Sequence, residues 1–150
     1  MKYEIIKDEF LVSTDNTKLD ISVIHGFLTD SYWAKGIPIE IVKKSIEHSL
    51  CFGVYCNNEQ IGFARVITDY TTFGYLADVF IVEGFRGKGL SKWLMECILA
   101  HPELQGFRRW SLATRDAHGL YTRYGFTPLQ QPERMMEIRN PDAYKQCQEK

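Results

Sequence analysis

The sequence predicts an α+β fold, a mostly antiparallel sheet with helices packed on it, and three observations carry that expectation. Apolar residues recur at helical spacing twice within the first fifty positions. From Cys51 to Val82 the period changes to extended runs rich in aromatic and β-branched residues, broken by short turns, as an antiparallel meander requires. A glycine-rich turn then leads straight into an amphipathic segment, so a helix follows the third strand.

In chain order, "YEIIKDEFLVS" reads as an extended pair with a turn at Lys7-Asp8-Glu9. Asp20 is placed to cap a helix whose apolar positions Val23, Ile24, Phe27 and Leu28 fall 3.6 residues apart, and the pattern breaks down near "SYWAKGIP". Pro38, with its fixed φ and missing N–H, suits the first position of a second helix, "PIEIVKKSIEHSL", which gathers Ile41, Val42 and Ile46 on one face. "CFGVYC", the turn "NNEQ" and "IGFARVITD" form a hairpin, and "FGYLADVFIV" supplies the third strand. Leu90, Trp93, Leu94, Cys97 and Ile98 mark the buried face of the next helix, which ends before Pro102. "FRRWSLAT" is then a strand, "DAHGLYTRY" a short helix closed by Gly125, and "ERMMEI" a final strand. No repeat or low-complexity linker interrupts the 150 residues, so one domain over 1–150 is expected.

Composition narrows the function. A formal net charge of −1 argues against binding nucleic acid through bulk electrostatics, so any basic site is local. No apolar run approaches the ~20 residues that span a bilayer, and "MKYEIIKDEF" mixes charges with apolar residues instead of building a signal peptide. A cytoplasmic protein without a membrane partner is expected. The four cysteines, Cys51, Cys56, Cys97 and Cys147, form no CxxC pair and have no His at zinc-finger spacing, so no metal site is expected.

The stretch "EGFRGKGLSKWLMECIL" carries the chemistry. Gly84, Gly87 and Gly89 with Arg86 and Lys88 precede a helix whose first N–H groups lack intrahelical partners and sit at the positive end of its dipole. That is an anion site, although a tight turn into a buried helix would use the same glycines. In the frame of a nucleoside-triphosphate loop, Gly84 and Gly89 are correctly spaced, but Leu90 stands where the phosphate-binding lysine is required. In the frame of a dinucleotide site, Lys92 replaces the third glycine, and the preceding strand ends a meander instead of opening a βαβ unit.

A third frame fits. Arg86-Gly87-Lys88-Gly89-Leu90-Ser91 resembles the [Q/R]-x-x-G-x-[G/A] turn of the GNAT superfamily of N-acetyltransferases, with Ser91 in place of the usual Gly or Ala. Ala117-x-x-Leu120-Tyr121 followed by Gly125-Phe126 resembles the family's A-x-x-[LF]-Y-x-x-x-G-F segment, and "LADVFIVEGF" resembles its central strand. The resemblance runs from about Cys51 to Phe126. It implies a GNAT-like mixed, mostly antiparallel sheet of about six to seven strands flanked by about four helices. It also implies acetyl-coenzyme A as cofactor, its pyrophosphate held by Arg86 to Ser91 and its pantetheine arm along the backbone of Val79, Phe80 and Ile81. Splaying of that strand from the next would open the slot.

The resemblance further implies transfer of the acetyl group to a primary amine of a small molecule or peptide, and a homodimer is common among such proteins. Tyr121 aligns with the tyrosine that protonates the departing thiolate; as an amphipathic residue it equally suits packing under its helix. Asp78, two residues before Phe80, is a candidate general base, an ion-pair partner or an anchor for the substrate ammonium. Tyr32 and Trp33, in the loop between the first two helices, are candidate walls of an acceptor pocket, and Arg65 a candidate anion anchor. The competing function is a non-catalytic acyl-CoA sensor or interaction module that keeps the cradle without the chemistry.

Overall fold

In the computed structural model, residues 2–148 are described. Six strands, β1 (Glu4–Lys7), β2 (Phe10–Ser13), β3 (Leu50–Cys56), β4 (Glu59–Thr68), β5 (Phe73–Ile81) and β6 (Arg109–Leu112), form one sheet in sequence order. All neighbours are antiparallel except β5 and β6, which run parallel and are joined through α3 (Leu90–Leu99). The remaining α-helices are α1 (Ile21–Asp30), α2 (Ile39–Glu47), α4 (His118–Thr122) and α5 (Ala143–Gln148).

The helices divide the core by sheet face. Leu90, Trp93, Leu94, Met95, Cys97 and Ile98 of α3 pack with Val12, Val54, Ala64, Val66 and Leu76 on one side. Ile24 and Leu28 of α1 and Val42 and Ile46 of α2 pack with Phe63 and Phe80 on the other. Alternation along β4 feeds both: Phe63 faces one cluster, and Ala64 and Val66 the other.

Local chemistry explains the element ends. Asp20 caps α1 by accepting from the backbone N–H of Ser22 (3.1 Å) and Val23 (3.3 Å). Gln60, buried in β4, accepts from Asp20 N–H at 2.7 Å and donates to Gly62 C=O at 3.0 Å, tying the start of α1 to the sheet. Asp69 organises the turn into β5, its carboxylate accepting from the Thr72 hydroxyl at 2.6 Å and from the N–H groups of Thr71, Thr72 and Phe73, and the bonds from Thr72, the hydroxyl first, and from Thr71 hold its carboxyl well below the usual range.

Three expectations change. Pro38 is the residue before α2, in extended conformation, and helical geometry begins at Ile39. "ERMMEI" is not a strand: Pro132–Arg134 form a 3₁₀ turn, and residues 135–140 pair with no strand among the described residues. The sheet therefore has six strands, and a strand needs a partner that its own periodicity cannot supply. The short helix α5 adds a fifth to the four expected. Among the described residues no helix is long and apolar enough to cross a membrane.

His101, just past α3, is 4% exposed, its ring against Tyr3 and Phe52 and its Nδ1 accepting from the backbone N–H of Glu103 at 3.1 Å. Burial pushes this imidazole below its ordinary value, with Glu103 partly opposing. The unfolded chain then takes up a proton near pH ~6.5 that the folded chain resists, so stability is full above that pH and falls as pH drops below it. Urea unfolding between neutral pH and the carboxylate range should show this loss in the wild type. A His101→Asn variant should flatten it, and an unchanged slope would remove His101 from the pH dependence.

Candidate active site

The parallel pairing of β5 and β6 is short. Phe73 to Leu76 pair with Arg109 to Leu112, and β5 continues through Ala77 to Ile81 without a β6 partner. Past Leu112 the chain leaves as the loop Ala113–Ala117, and the gap opens into a cleft of about 580 Å³. Its walls come from β5 (Ala77, Asp78, Val79), from that loop, from the α1–α2 loop (Tyr32, Trp33, Ala34) and from Tyr121 of α4. Val79 is half-buried and lines the cleft; Phe80 and Ile81 bury their side chains in the two cores.

At the end of β5 the chain makes a 3₁₀ turn, Glu83–Phe85, and then the glycine-rich turn. Gly87 and Gly89 have φ of +80° and +77°, the left-handed region where a side chain is strained, and a Cβ built on either meets nothing within 4 Å. Among the described residues, no protein acceptor takes the N–H groups of Gly87 through Lys92; the first helical bond is from Trp93 N–H to Gly89 C=O at 3.1 Å. Lys88 is exposed, Ser91 half-buried, and Leu90 buried as the anchor of α3. Arg86 donates from Nε to the carbonyl of Ile81 at 2.9 Å, which braces the turn against the end of β5. A row of unpaired donors at a helix N-terminus beside two cations fits a pyrophosphate.

Asp78 sits in a β-bulge. Between Phe63 and Arg65 on β4 the partner strand runs from Phe80 to Ala77, one residue longer, and Asp78 has φ +56°. The bulge sets its carboxylate against Arg65, with Nε to Oδ2 at 2.8 Å, while Trp33 Nε1 donates to Oδ1 at 2.9 Å. Arg65 also donates from Nη1 to Ser49 Oγ at 3.1 Å. Of the three roles open to Asp78, its contacts here are those of an ion-pair partner. Asp78 and Arg65 side chains are 10% and 17% exposed, so losing one strands the other's charge. Asp78→Ala should cost about 3–5 kcal/mol in denaturant unfolding, while Asp78→Leu with Arg65→Met should recover most of it. Equal losses in both variants would show that the pair does not act as a unit.

Tyr32 and Trp33 stand at the mouth, about half exposed, and are less free than loop residues usually are. Tyr32 Oη accepts from Arg115 N–H at 3.0 Å, and the Arg115 guanidinium lies 4.0 Å from the centre of its ring. Trp33 leans on Phe27, which stacks on Phe80 at 4.0 Å, so an aromatic chain runs from the core to the mouth. Tyr121 is 8% exposed, edge-on to Phe126, and burial with Tyr32 nearby pushes its phenol up, which keeps it protonated. Tyr124 is turned away and donates to Lys92 C=O at 3.0 Å. His118 is exposed on α4, and Asp116 pairs with Arg115.

The cleft thus gathers Tyr32, Trp33, Arg65, Asp78, Val79 and Tyr121, while Arg86 to Ser91 form the turn at the end of β5. Sequence reasoning missed Ser49, Tyr75, Thr114 and Tyr144, which touch Arg65 or line the cleft. None stands in a motif. Among the described residues no group of three or more His, Cys, Asp or Glu is arranged to hold a metal ion. Cys51 and Cys97 are buried thiols, pushed up to about 12 and about 11 by burial.

Residues 47–128, more than half of the chain, match the family of acetyltransferase (GNAT) domains. The chain belongs to the GNAT family of acetyltransferases. The matched span covers the glycine-rich turn, α4 and the β4, β5 and Ala113–Ala117 walls of the cleft, while the α1–α2 loop and Tyr144 lie outside it. A protein of Gibberella zeae named as an acetyltransferase is 31% identical to this GNAT chain, with 77% of each covered. A crystal structure from Xanthomonas campestris, assigned to the GNAT family, is 54% identical, with 93% of this chain and 99% of that one covered and a TM-score of 0.89. A GNAT acetyltransferase of Elizabethkingia anophelis with acetyl-CoA bound shares the fold at 16% identity, covering 90% and 91% of the two chains with a TM-score of 0.63.

Proposed function

We propose that this GNAT acetyltransferase transfers the acetyl group of acetyl-CoA to a primary amine of a small molecule or peptide, by direct attack with both substrates bound. The observation that carries it is the joining of two features: the unpaired donors of Gly87 to Lys92 lie at the end of the same strand that walls the cleft. Acetyl-CoA supplies an acyl group already activated as a thioester. The turn Arg86–Ser91 binds the pyrophosphate through backbone N–H groups and Lys88. The β5 edge past Leu76, left free by the splay, holds the pantetheine arm through the main chain of Val79, Phe80 and Ile81.

As the amine nitrogen bonds to the acetyl carbon and the C–S bond breaks, Tyr121 gives its Oη proton to the leaving sulfur, and the proton shed by the nitrogen goes to water, from which the phenol is restored; its raised phenol makes it an acid at neutral pH. Tyr32 and Trp33 wall the acceptor, fixed by Arg115 and Asp78. Arg65 and Asp78 act by positioning: the bulge and the ion pair hold Trp33 and the strand that orients the acetyl group. A homodimer is the assembly we propose for the chain.

The test is a thiol-release assay over a panel of amines with acetyl-CoA, alongside acetyl-CoA and ATP binding titrations. Acetyl-CoA binding with turnover on an amine is expected. Tight acetyl-CoA binding with no turnover on any amine would favour the sensor, and preference for ATP would overturn the proposal. For Asp78, Asp78→Asn keeps an acceptor for Trp33 and should retain measurable turnover with an unshifted acid limb of its pH profile. Abolished turnover in a stably folded Asn variant would make Asp78 the base.

A further inference from the structure

Beyond the residues given to the cofactor, the cleft has a wall that the mechanism above does not use: Tyr75 of β5, Ile41 and Ser45 of α2, and Tyr144 of α5. Tyr75 and Ala77 alternate onto one face of β5, with Ala77 opposite Arg65 on β4. Ile41 and Ser45 stand four residues apart, about one turn of α2, and Ser45 Oγ already donates to Val42 C=O at 2.8 Å. With Tyr32 and Trp33 this wall is aromatic and apolar. The cleft of about 580 Å³ must also admit the end of the pantetheine arm, which leaves room for a compact acceptor.

Charge in the cleft cancels. Among the described residues its charged lining is two opposite pairs, Arg65 with Asp78 at 2.8 Å and Arg115 with Asp116 at 3.4 Å. Both Asp78 oxygens are taken, one by Arg65 and one by Trp33. No carboxylate is left over to anchor a second ammonium, and among the described residues no Lys or His lines the cleft to hold a phosphate. An amine must be neutral to attack, and an unpaired carboxylate beside it would hold it charged, whereas apolar surroundings favour the neutral form. Trp33 is pinned by Asp78 and Tyr32 by Arg115, so both rings are ordered before a ligand arrives. They nevertheless stay about half exposed, apolar area for a ligand to cover.

We infer that the acceptor is a compact primary amine carried on an aromatic body with no second charge. The inference rests on the transferase reading above and narrows its substrate class. Tyr32, Trp33 and Tyr75 take the aromatic body, and Tyr75 is the residue that sets specificity. Polyamines and amino-sugar phosphates would each bring a charge for which the cleft holds no unpaired partner, so they are poor acceptors.

The test titrates the coenzyme A-loaded protein with phenylethylamine, spermidine and glucosamine phosphate, and measures thiol release from acetyl-CoA with each. Phenylethylamine should bind tightest, with kcat/KM at least ~10-fold above the other two. Tyr75→Ala should lower kcat/KM for phenylethylamine by ~10-fold, mostly through KM, and leave that for ethylamine near the wild-type value. Tyr75→Phe, which keeps the ring, should restore it. Preferential binding of phenylethylamine without turnover would support the pocket and overturn the transferase reading. Turnover that prefers spermidine or the sugar phosphate would overturn the pocket and keep the transferase, as would an unchanged kcat/KM in a folded Tyr75→Ala variant. Phenylethylamine that neither binds nor reacts overturns the inference.

Discussion

Tyr121→Phe should lower kcat by roughly 10² to 10⁴ while leaving the fold and acetyl-CoA affinity near normal, the usual worth of a positioned acid. The ring's contacts, among them the edge-on one with Phe126, survive the change; only the hydroxyl is lost. The loss should fall on kcat more than on KM, because the hydroxyl acts as charge gathers on sulfur. Since burial raises the phenol, the wild-type pH profile should show no alkaline limb from this residue below about pH 10. Pre-steady-state thiol release on a productive amine measures the step. Wild-type rates in the Phe variant would leave water or the product ammonium as proton source.

Gly89→Val should weaken acetyl-CoA binding by ~100-fold or more, the equivalent of two or more lost charge-assisted hydrogen bonds. Gly89 adopts φ +77°, where a β-branched residue is a severe outlier, so the turn must rearrange or absorb strain. A Cβ there meets no protein atom within 4 Å, so the Val side chain projects into the space proposed for the pyrophosphate. Gly89→Ala shares the backbone strain with less bulk and should fall between the two. Isothermal titration, with thermal unfolding as a check on folding, reads the effect. Unchanged affinity in a folded Val variant would move the pyrophosphate elsewhere.

What the sequence made legible was local. Asp20 announces α1 because a cap is decided within three residues, and the Gly87–Gly89 turn announces α3 for the same reason. The hairpin β3–β4 follows from alternation and a polar turn. The Asp78 bulge was not legible: it is a mismatch of length between two strands, visible only once Arg65 and Phe63 are placed opposite. Alternation put Asp78 on the Phe80 face but could not tell that Arg65 and Trp33, 13 and 45 residues away, would take both its oxygens. "ERMMEI" failed for a related reason, since strand propensity is a statement about fitting a neighbour. α5 contributes Tyr144 to the α1–α2 cluster and has no periodicity to announce it.

The splay of β5 from β6 has a consequence for the life of the polypeptide before it meets its ligands. Five residues of β5 pair with β4 on one side and leave their other main-chain edge without a strand partner, and an open strand edge is a template for any passing strand, including those of other chains still folding. The Tyr32–Arg115 contact stands at the mouth of the cleft beside that edge, joining two loops 83 residues apart. Under the proposed function the cofactor's arm occupies the same edge, so bound cofactor stabilises the folded chain by mass action. Cellular supply of acetyl-CoA would then bear on how much of the protein survives to act, as well as on how fast it works.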